Sequence, residues 1–141
     1  MFIKQLSVFV ENSQGRLQQI IDALGEAHVN IRALSIADTT EFGILRLIVD
    51  DIDKAGEALR EKGVVSKVTD VIAVSVDDRA GGLGTVTRAI SDAGINIEYM
   101  YAFLGRSHGK ALLVVQTSDA DEAESALRAH GVALATEEDL L

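Results

Sequence analysis

The chain has no cysteine, no proline and no tryptophan among its 141 residues. Without cysteine there is neither a disulfide framework nor thiolate chemistry, which fits a reducing compartment and leads us to expect a cytoplasmic protein. Without proline, tight turns must be built by glycine and small polar residues and are less rigidly preset. No apolar run approaches the roughly 20 residues that a bilayer-crossing helix needs. The first residues, Met1 to Val10, alternate like a strand rather than showing the basic head and continuous apolar segment of a secretion signal. No membrane partner is therefore expected.

Positive charge is scarce too: 13 Lys and Arg against 22 Asp and Glu leave a net charge of -9. That argues against nucleic acid as a partner, because such binding draws on cations that neutralise phosphates. His28, His108 and His130 are scattered, with no pairing at metal-ligand spacing, so neither a metal nor another cofactor is expected. No Ser/His/Asp arrangement and no acid-base pair can be assembled, so we expect no catalytic residues and no enzyme. Gly81-Gly82-Leu83-Gly84-Thr85 is rich in glycine but lacks the Lys-Ser/Thr ending of a phosphate-binding loop.

What the chain does have is internal repetition. Ser7 to Val49 realigns on Ala73 to Val115 at a constant shift of 66, pairing Gly15 with Gly81, Leu17 with Leu83, and Asn30-Ile31 with Asn96-Ile97. After a slip of two residues the match resumes, with Asp53, Leu59 and Gly63 against Asp121, Leu127 and Gly131. Two such repeats are too few and too long for a solenoid, so each reads as a small domain, residues 1–68 and 69–141. Units of about 65 to 70 residues bury a limited share of their surface, which leads us to expect packing on a twin or homodimerisation.

Each copy opens on an alternating strand, with Leu6, Val8 and Val10 against Gln5, Ser7 and Glu11, and Ile72, Val74 and Val76 against Ala73, Ser75 and Asp77. A helix follows, carrying Leu17, Ile20, Ile21 and Leu24 in one copy and Leu83, Val86, Ile90 and Ala93 in the other. Asn12 or Ser13, and Asp78, stand where they would cap it, and His28 and Gly94 where it should stop. Two strand-like runs come next, Asn30 to Ala37 and Gly43 to Val49, then Asn96 to Phe103 and Lys110 to Gln116. The turns between them contain 38–41 and 105–109. Asp53 and Asp121 open shorter helices closed by Gly63 and Gly131, and short strands end each copy near Val64 to Val68 and Val132 to Ala135. The class is α+β, a βαββαβ order repeated in tandem, which gives antiparallel sheets with both helices on one face. Leu112 and Val114, out of phase with Leu113 and Val115, make one strand apolar on both sides, so the helix-free face of that sheet should be covered.

Two features could carry binding. The loops before each first helix, Asn12-Ser13-Gln14-Gly15-Arg16-Leu17 and Asp78-Arg79-Ala80-Gly81-Gly82-Leu83, place glycine and arginine at a helix start. There, unpaired N–H groups and the positive end of the dipole favour a carboxylate. The plainer reading is a tight turn. Asn30 and Asn96 each offer an amide donor and acceptor beside Ile31 and Ile97, and taken alone they read as turn residues. The recurrence of loop and asparagine together, at identical spacing, is what favours a ligand. Tyr99, Met100, Tyr101 and Phe103 suit either a side-chain pocket or core packing, and Glu122, Glu124, Glu137, Glu138 and Asp139 suit a solvated acidic surface.

The run Val-Ser-Val-Asp-Asp-Arg-Ala-Gly-Gly-Leu, followed by a helix ending Ala-Gly-Ile-Asn-Ile, resembles the signature of ACT domains, and the resemblance spans nearly the whole chain. It implies two ferredoxin-like βαββαβ domains that associate sheet to sheet and bind amino acids where domains meet. It also implies a ligand site drawn from Asn12, Ser13, Gln14, Gly15, Arg16, Leu17, Asn30 and Ile31, and from Asp78, Arg79, Ala80, Gly81, Gly82, Leu83, Asn96 and Ile97. The family often has proline before the loop glycine, where this chain has Gln14 and Ala80. The combined expectation is a non-enzymatic regulatory module for a free amino acid or similar zwitterion, read out by an unidentified effector protein. Its rival is a ligand-free interaction and dimerisation module of the same fold.

Overall fold

A computed structural model describes residues 2–11, 13–38, 42–105 and 109–140. Asn12 and the turn residues Thr39, Thr40, Glu41, Arg106, Ser107 and His108 lie outside the described residues. The chain divides into two compact units, Lys4–Thr69 and Met1–Ile3 with Asp70–Leu141. The elements are β1 (Ile3–Glu11), α1 (Arg16–Glu26), β2 (Ile31–Asp38), β3 (Phe42–Val49), α2 (Ile52–Glu61), β4 (Ser66–Asp77), α3 (Gly82–Asp92), β5 (Ile97–Ala102), β6 (Lys110–Thr117), α4 (Ala120–Ala129), β7 (Ala133–Leu134) and a final 3-10 turn, Glu137–Leu140. This is the tandem ferredoxin-like α+β order.

One boundary differs from expectation. The last strand of the first copy and the first strand of the second form a single strand, β4, because no glycine or polar turn interrupts Val65 to Val76. In the first unit the order is β2-β3-β1, with β1 and β2 both antiparallel to β3, and the start of β4 beside β1 through Phe9 N–H donating to Val65 O (3.3 Å). In the second it is β5-β6-β4, and β7 closes on the other side of β4. The closing strand is shorter than expected, although Ala135 N–H still donates to Ala73 O at 2.8 Å.

Alternation decides the faces. Leu6, Val8, Leu45 and Leu47 share a buried cluster with Ile20, Leu24, Ala55 and Leu59, so α1 and α2 cover the same side. The second unit repeats this with Ile72, Val74, Leu113 and Val115 against Val86, Ile90, Ala123 and Leu127. Complete burial of side chains of this size is worth about 1.5–3 kcal/mol each and supplies most of the stability. On the opposite face Val114 is as buried as Val115, as its phase required. Leu17 and Leu83 depart from the pattern: both are exposed, in the first turn of each helix.

The caps of the short helices lie two residues before the aspartates that the sequence pattern placed at their start. Asp51 and Asp119, not Asp53 and Asp121, hold the cap positions, accepting from Lys54 N–H and Glu122 N–H at 3.1 Å. Asp53 and Asp121 lie in the first turn, where the positive end of the dipole favours them. Gly63 and Gly131 end these helices in the left-handed region, as Gly94 and, more strained, His28 (φ 58°) do for the longer ones.

Candidate functional site

Neither Ser13 nor Asp78 caps its helix. The cap positions belong to Gly15 (φ 84°) and Gly81 (φ 83°), a left-handed conformation that glycine adopts without strain and that leaves no side chain to cap with. Backbone bonds turn both loops. Ser13 N–H donates to Glu11 O (2.8 Å) and Arg16 N–H to Ser13 O (3.3 Å); Arg79 N–H donates to Asp77 O (2.9 Å) and Gly82 N–H to Arg79 O (3.0 Å). Among the described residues the amides of Leu17, Gln18 and Leu83 meet no acceptor, leaving donors at each helix start as helix geometry requires. Gln14 and Ala80 complete the turns as exposed residues.

The loops diverge where the repeats differ. A Cβ on Gly82 would lie 2.1 Å from Asp77 O, so the second loop folds tightly onto the end of β4 and tolerates no side chain there. The matching residue in the first copy is Arg16, whose Nη1 donates to Gln19 Oε1 at 3.0 Å. Asp77 accepts a close charge-assisted bond from Lys110, and its other oxygen lies 3.5 Å from Arg79 Nε. The Lys110 bond and charge, aided by Arg79, hold the Asp77 carboxyl below its ordinary 3.8. Arg79 thus has a partner within its own loop while its side chain stays 68% exposed. Its counterpart Ser13 carries no charge, and Glu11, the counterpart of Asp77, has no ion-pair partner among the described residues.

Asn30 and Asn96 stand at the other end of each sheet. The loop follows Glu11, which pairs with Phe42, whereas Asn30 precedes Ile31, which pairs with Val49. Asn30 N–H donates to Asp50 Oδ1 (3.0 Å) and its carbonyl accepts from Asp50 N–H (3.1 Å); Asn96 O accepts from Ser118 N–H in the same way. Their side chains are exposed, and Ile31 and Ile97 are half-buried. Strand β2 separates the two ends by roughly 25 Å at 3.3 Å per residue. The structure therefore groups Ser13, Gln14, Gly15, Arg16 and Leu17 at one end of the first copy with Asn30 and Ile31 at the other. Likewise it sets Asp78, Arg79, Ala80, Gly81, Gly82 and Leu83 apart from Asn96 and Ile97.

Beside the first loop are two hollows. One, of about 220 Å³, lies over Val10, Ser13, Leu17, Ile36 and Leu45. The other, of about 190 Å³, is bordered by Phe9, Glu11, Arg16, Phe42 and Val65. A longer groove of about 380 Å³ follows α1 past Arg16, Asp22, Glu26 and Lys62. The second copy has a notch of about 160 Å³ at the position matching the Phe9 hollow, walled by Asp77, Arg79, Gly82 and Lys110. Sequence reasoning missed the Phe9 hollow. Its signal was a phenylalanine in the polar register of β1, between Ser7 and Glu11. The aromatic run near β5 resolves by phase: Met100 packs on the core, while Tyr99 and Tyr101 stack at 6.3 Å on the other side. No His, Cys, Asp and Glu group among the described residues could hold a metal ion.

The ACT domain pair family matches residues 1–141. The chain belongs to that family. Among solved structures, protein BT0572 from Bacteroides thetaiotaomicron is similar at 38% identity, covering 99% of this chain and 96% of that one, with a TM-score of 0.90. The regulatory subunit of aspartate kinase from Thermus thermophilus, in a ligand-free form, is similar in fold at 20% identity, 91% and 89% coverage and a TM-score of 0.66. That of Thermus flavus follows at 19%, 91% and 90%, and 0.62. Comparison with the curated proteins returns no match. The repeats are thus ACT domains, and no helix among the described residues is long and apolar enough to cross a membrane.

Proposed function

We propose that this ACT pair is a non-enzymatic regulatory module that binds a free amino acid, or a similar small zwitterion, between ACT copies in the cytoplasm and passes the change to an effector protein. The observation that carries this reading is the placement of its two polar features at opposite ends of each copy. An amino acid's ammonium and carboxylate sit on one carbon, so a ligand using both the helix-start amides and the asparagine must lie between two copies. One copy brings the loop, Ser13 to Leu17 or Asp78 to Leu83, and another brings Asn30 or Asn96. A homodimer supplies that arrangement directly, and ligand binding would then change how copies associate.

A thermal-shift screen against the common amino acids tests it. A ligand specific for the folded chain stabilises it by about 2.7 kcal/mol at a hundredfold excess over its dissociation constant. Asn96→Ala should weaken that ligand while leaving the fold intact, since only the backbone of Asn96 is bonded within the copy. Lost stability with unchanged affinity would make Asn96 a turn residue only. The rival, a ligand-free association module, draws support from the second loop, where Arg79 and the β6 residue Lys110 both pair with Asp77. A flat screen with dimerisation intact would favour it.

A further inference from the structure

The hollow beside Phe9 has the composition of an amino-acid site, and its twin in the second copy does not. Phe9, Phe42 and Val65 are 47%, 52% and 68% exposed, three large apolar side chains beside one hollow of about 190 Å³. Isolated exposed apolar residues are ordinary, whereas a cluster at the rim of a concavity marks a surface built to be covered. Alternation puts Phe9 and Glu11 on the helix-free side of β1, and their β3 partners Ile44 and Phe42 share that side. Arg16 borders the same hollow from the start of α1. Among the described residues neither Glu11 nor Arg16 has an ion-pair partner, and the Arg16 guanidinium is bonded only to the neutral amide of Gln19.

We infer that this hollow is the ligand subsite of the chain and takes an amino acid with a large apolar, aromatic side chain, one per chain. The inference rests on the amino-acid-binding reading and adds the copy and the ligand class. Arg16 adds its charge to the unpaired α1 amides that follow it at the ligand carboxylate, Glu11 joins another copy's asparagine at the ammonium, and the ring lies against Phe9, Phe42 and Val65, where aromatic rings gain from offset or edge contact. The second copy lacks each of these features. Ser75 stands in place of Phe9 and Gly82 in place of Arg16, and the acid matching Glu11 is Asp77, already held by Lys110 and Arg79. The 220 Å³ hollow near Leu17 is a poorer candidate, because among the described residues Glu11 is the sole charged one at its rim and no cation there faces a carboxylate.

Calorimetric titration of the full chain tests the assignment. The probes are L-phenylalanine, L-leucine and L-alanine, with phenethylamine and 3-phenylpropionate as the forms lacking carboxylate and ammonium. Phenylalanine should bind once per chain and at least about tenfold tighter than alanine, since each apolar carbon in a pocket is worth roughly ten- to two-hundredfold. Arg16→Gln should weaken phenylalanine roughly ten- to a hundredfold yet leave phenethylamine unchanged; Glu11→Gln should spare 3-phenylpropionate instead. Phe9→Ser, which installs the second copy's residue at an exposed position, should abolish the preference for phenylalanine over alanine with the melting temperature retained. Unchanged phenylalanine affinity in both Arg16→Gln and Phe9→Ser overturns the assignment, as does binding of a small polar amino acid alone, which leaves amino-acid sensing standing. Binding of no amino acid overturns both.

Discussion

Three glycines at the start of α3 are expected to respond to alanine in three different ways. At Gly82 the added carbon meets Asp77 O at 2.1 Å, a contact with backbone that no rotamer can relieve. The loop or the end of β4 must move, and overpacking of this kind costs about 1–3 kcal/mol. For a chain of this length each kcal/mol shifts the midpoint by roughly 2–4 °C, so Gly82→Ala should lower Tm by roughly 2–12 °C. At Gly81 there is open space but φ is 83°, and the left-handed conformation costs a non-glycine residue roughly 1–2 kcal/mol. At Gly84 the space is open and the backbone helical, so Gly84→Ala should stabilise by about 0.5–1 kcal/mol. Urea unfolding followed by circular dichroism, with slopes compared to confirm an unchanged transition, measures all three. A Gly82→Ala chain as stable as the parent, or a Gly84→Ala chain less stable, would refute this picture of the loop.

Two further outcomes follow from the same bonds. Asp51→Ala and Asp119→Ala should each cost about 1 kcal/mol through loss of a helix cap, whereas Ser13→Ala, which removes no cap, should stay within about 0.5 kcal/mol; denaturation midpoints separate them. Because Asp77 is more acidic folded than unfolded, its pairing supports the fold above pH 3.8 and is lost as pH falls through the folded value. The NMR titration of its carboxyl carbon should give a midpoint below 3.8 that rises toward 3.8 in Lys110→Met, and a midpoint unaffected by that change would contradict the ion pair.

Residues that obey a period were legible in the sequence. Leu6, Val8 and Val10, and Ile72, Val74 and Val76, announced their faces because a strand alternates strictly, and the repeat itself exposed the tandem βαββαβ plan. The double burial of β6 was readable from Val114 and Val115 for the same reason. Features set by backbone torsion or by distant pairing were not. Asp53 and Asp121, read as opening the short helices, do lie in their first turns, but the caps Asp51 and Asp119, in extended conformation two positions earlier, were set by backbone torsion. Gly15 and Gly81 took the cap positions from Ser13 and Asp78 because the turn uses carbonyls rather than side chains. The pairing of Asp77 with Lys110 spans 33 residues and becomes visible only once β4 and β6 are in register. The separation of Asn30 from the loop of its own copy likewise needed the direction of α1, which linear spacing does not encode.

The claim on which the functional account rests is that the unpaired amides at the start of α1 receive a ligand carboxylate. Backbone amide NMR during titration with free amino acids tests it directly, with the account predicting saturable shifts concentrated at Leu17 and Gln18 for at least one amino acid. Amide signals at Leu17 and Gln18 that stay fixed across every amino acid, with shifts elsewhere or nowhere, would contradict it.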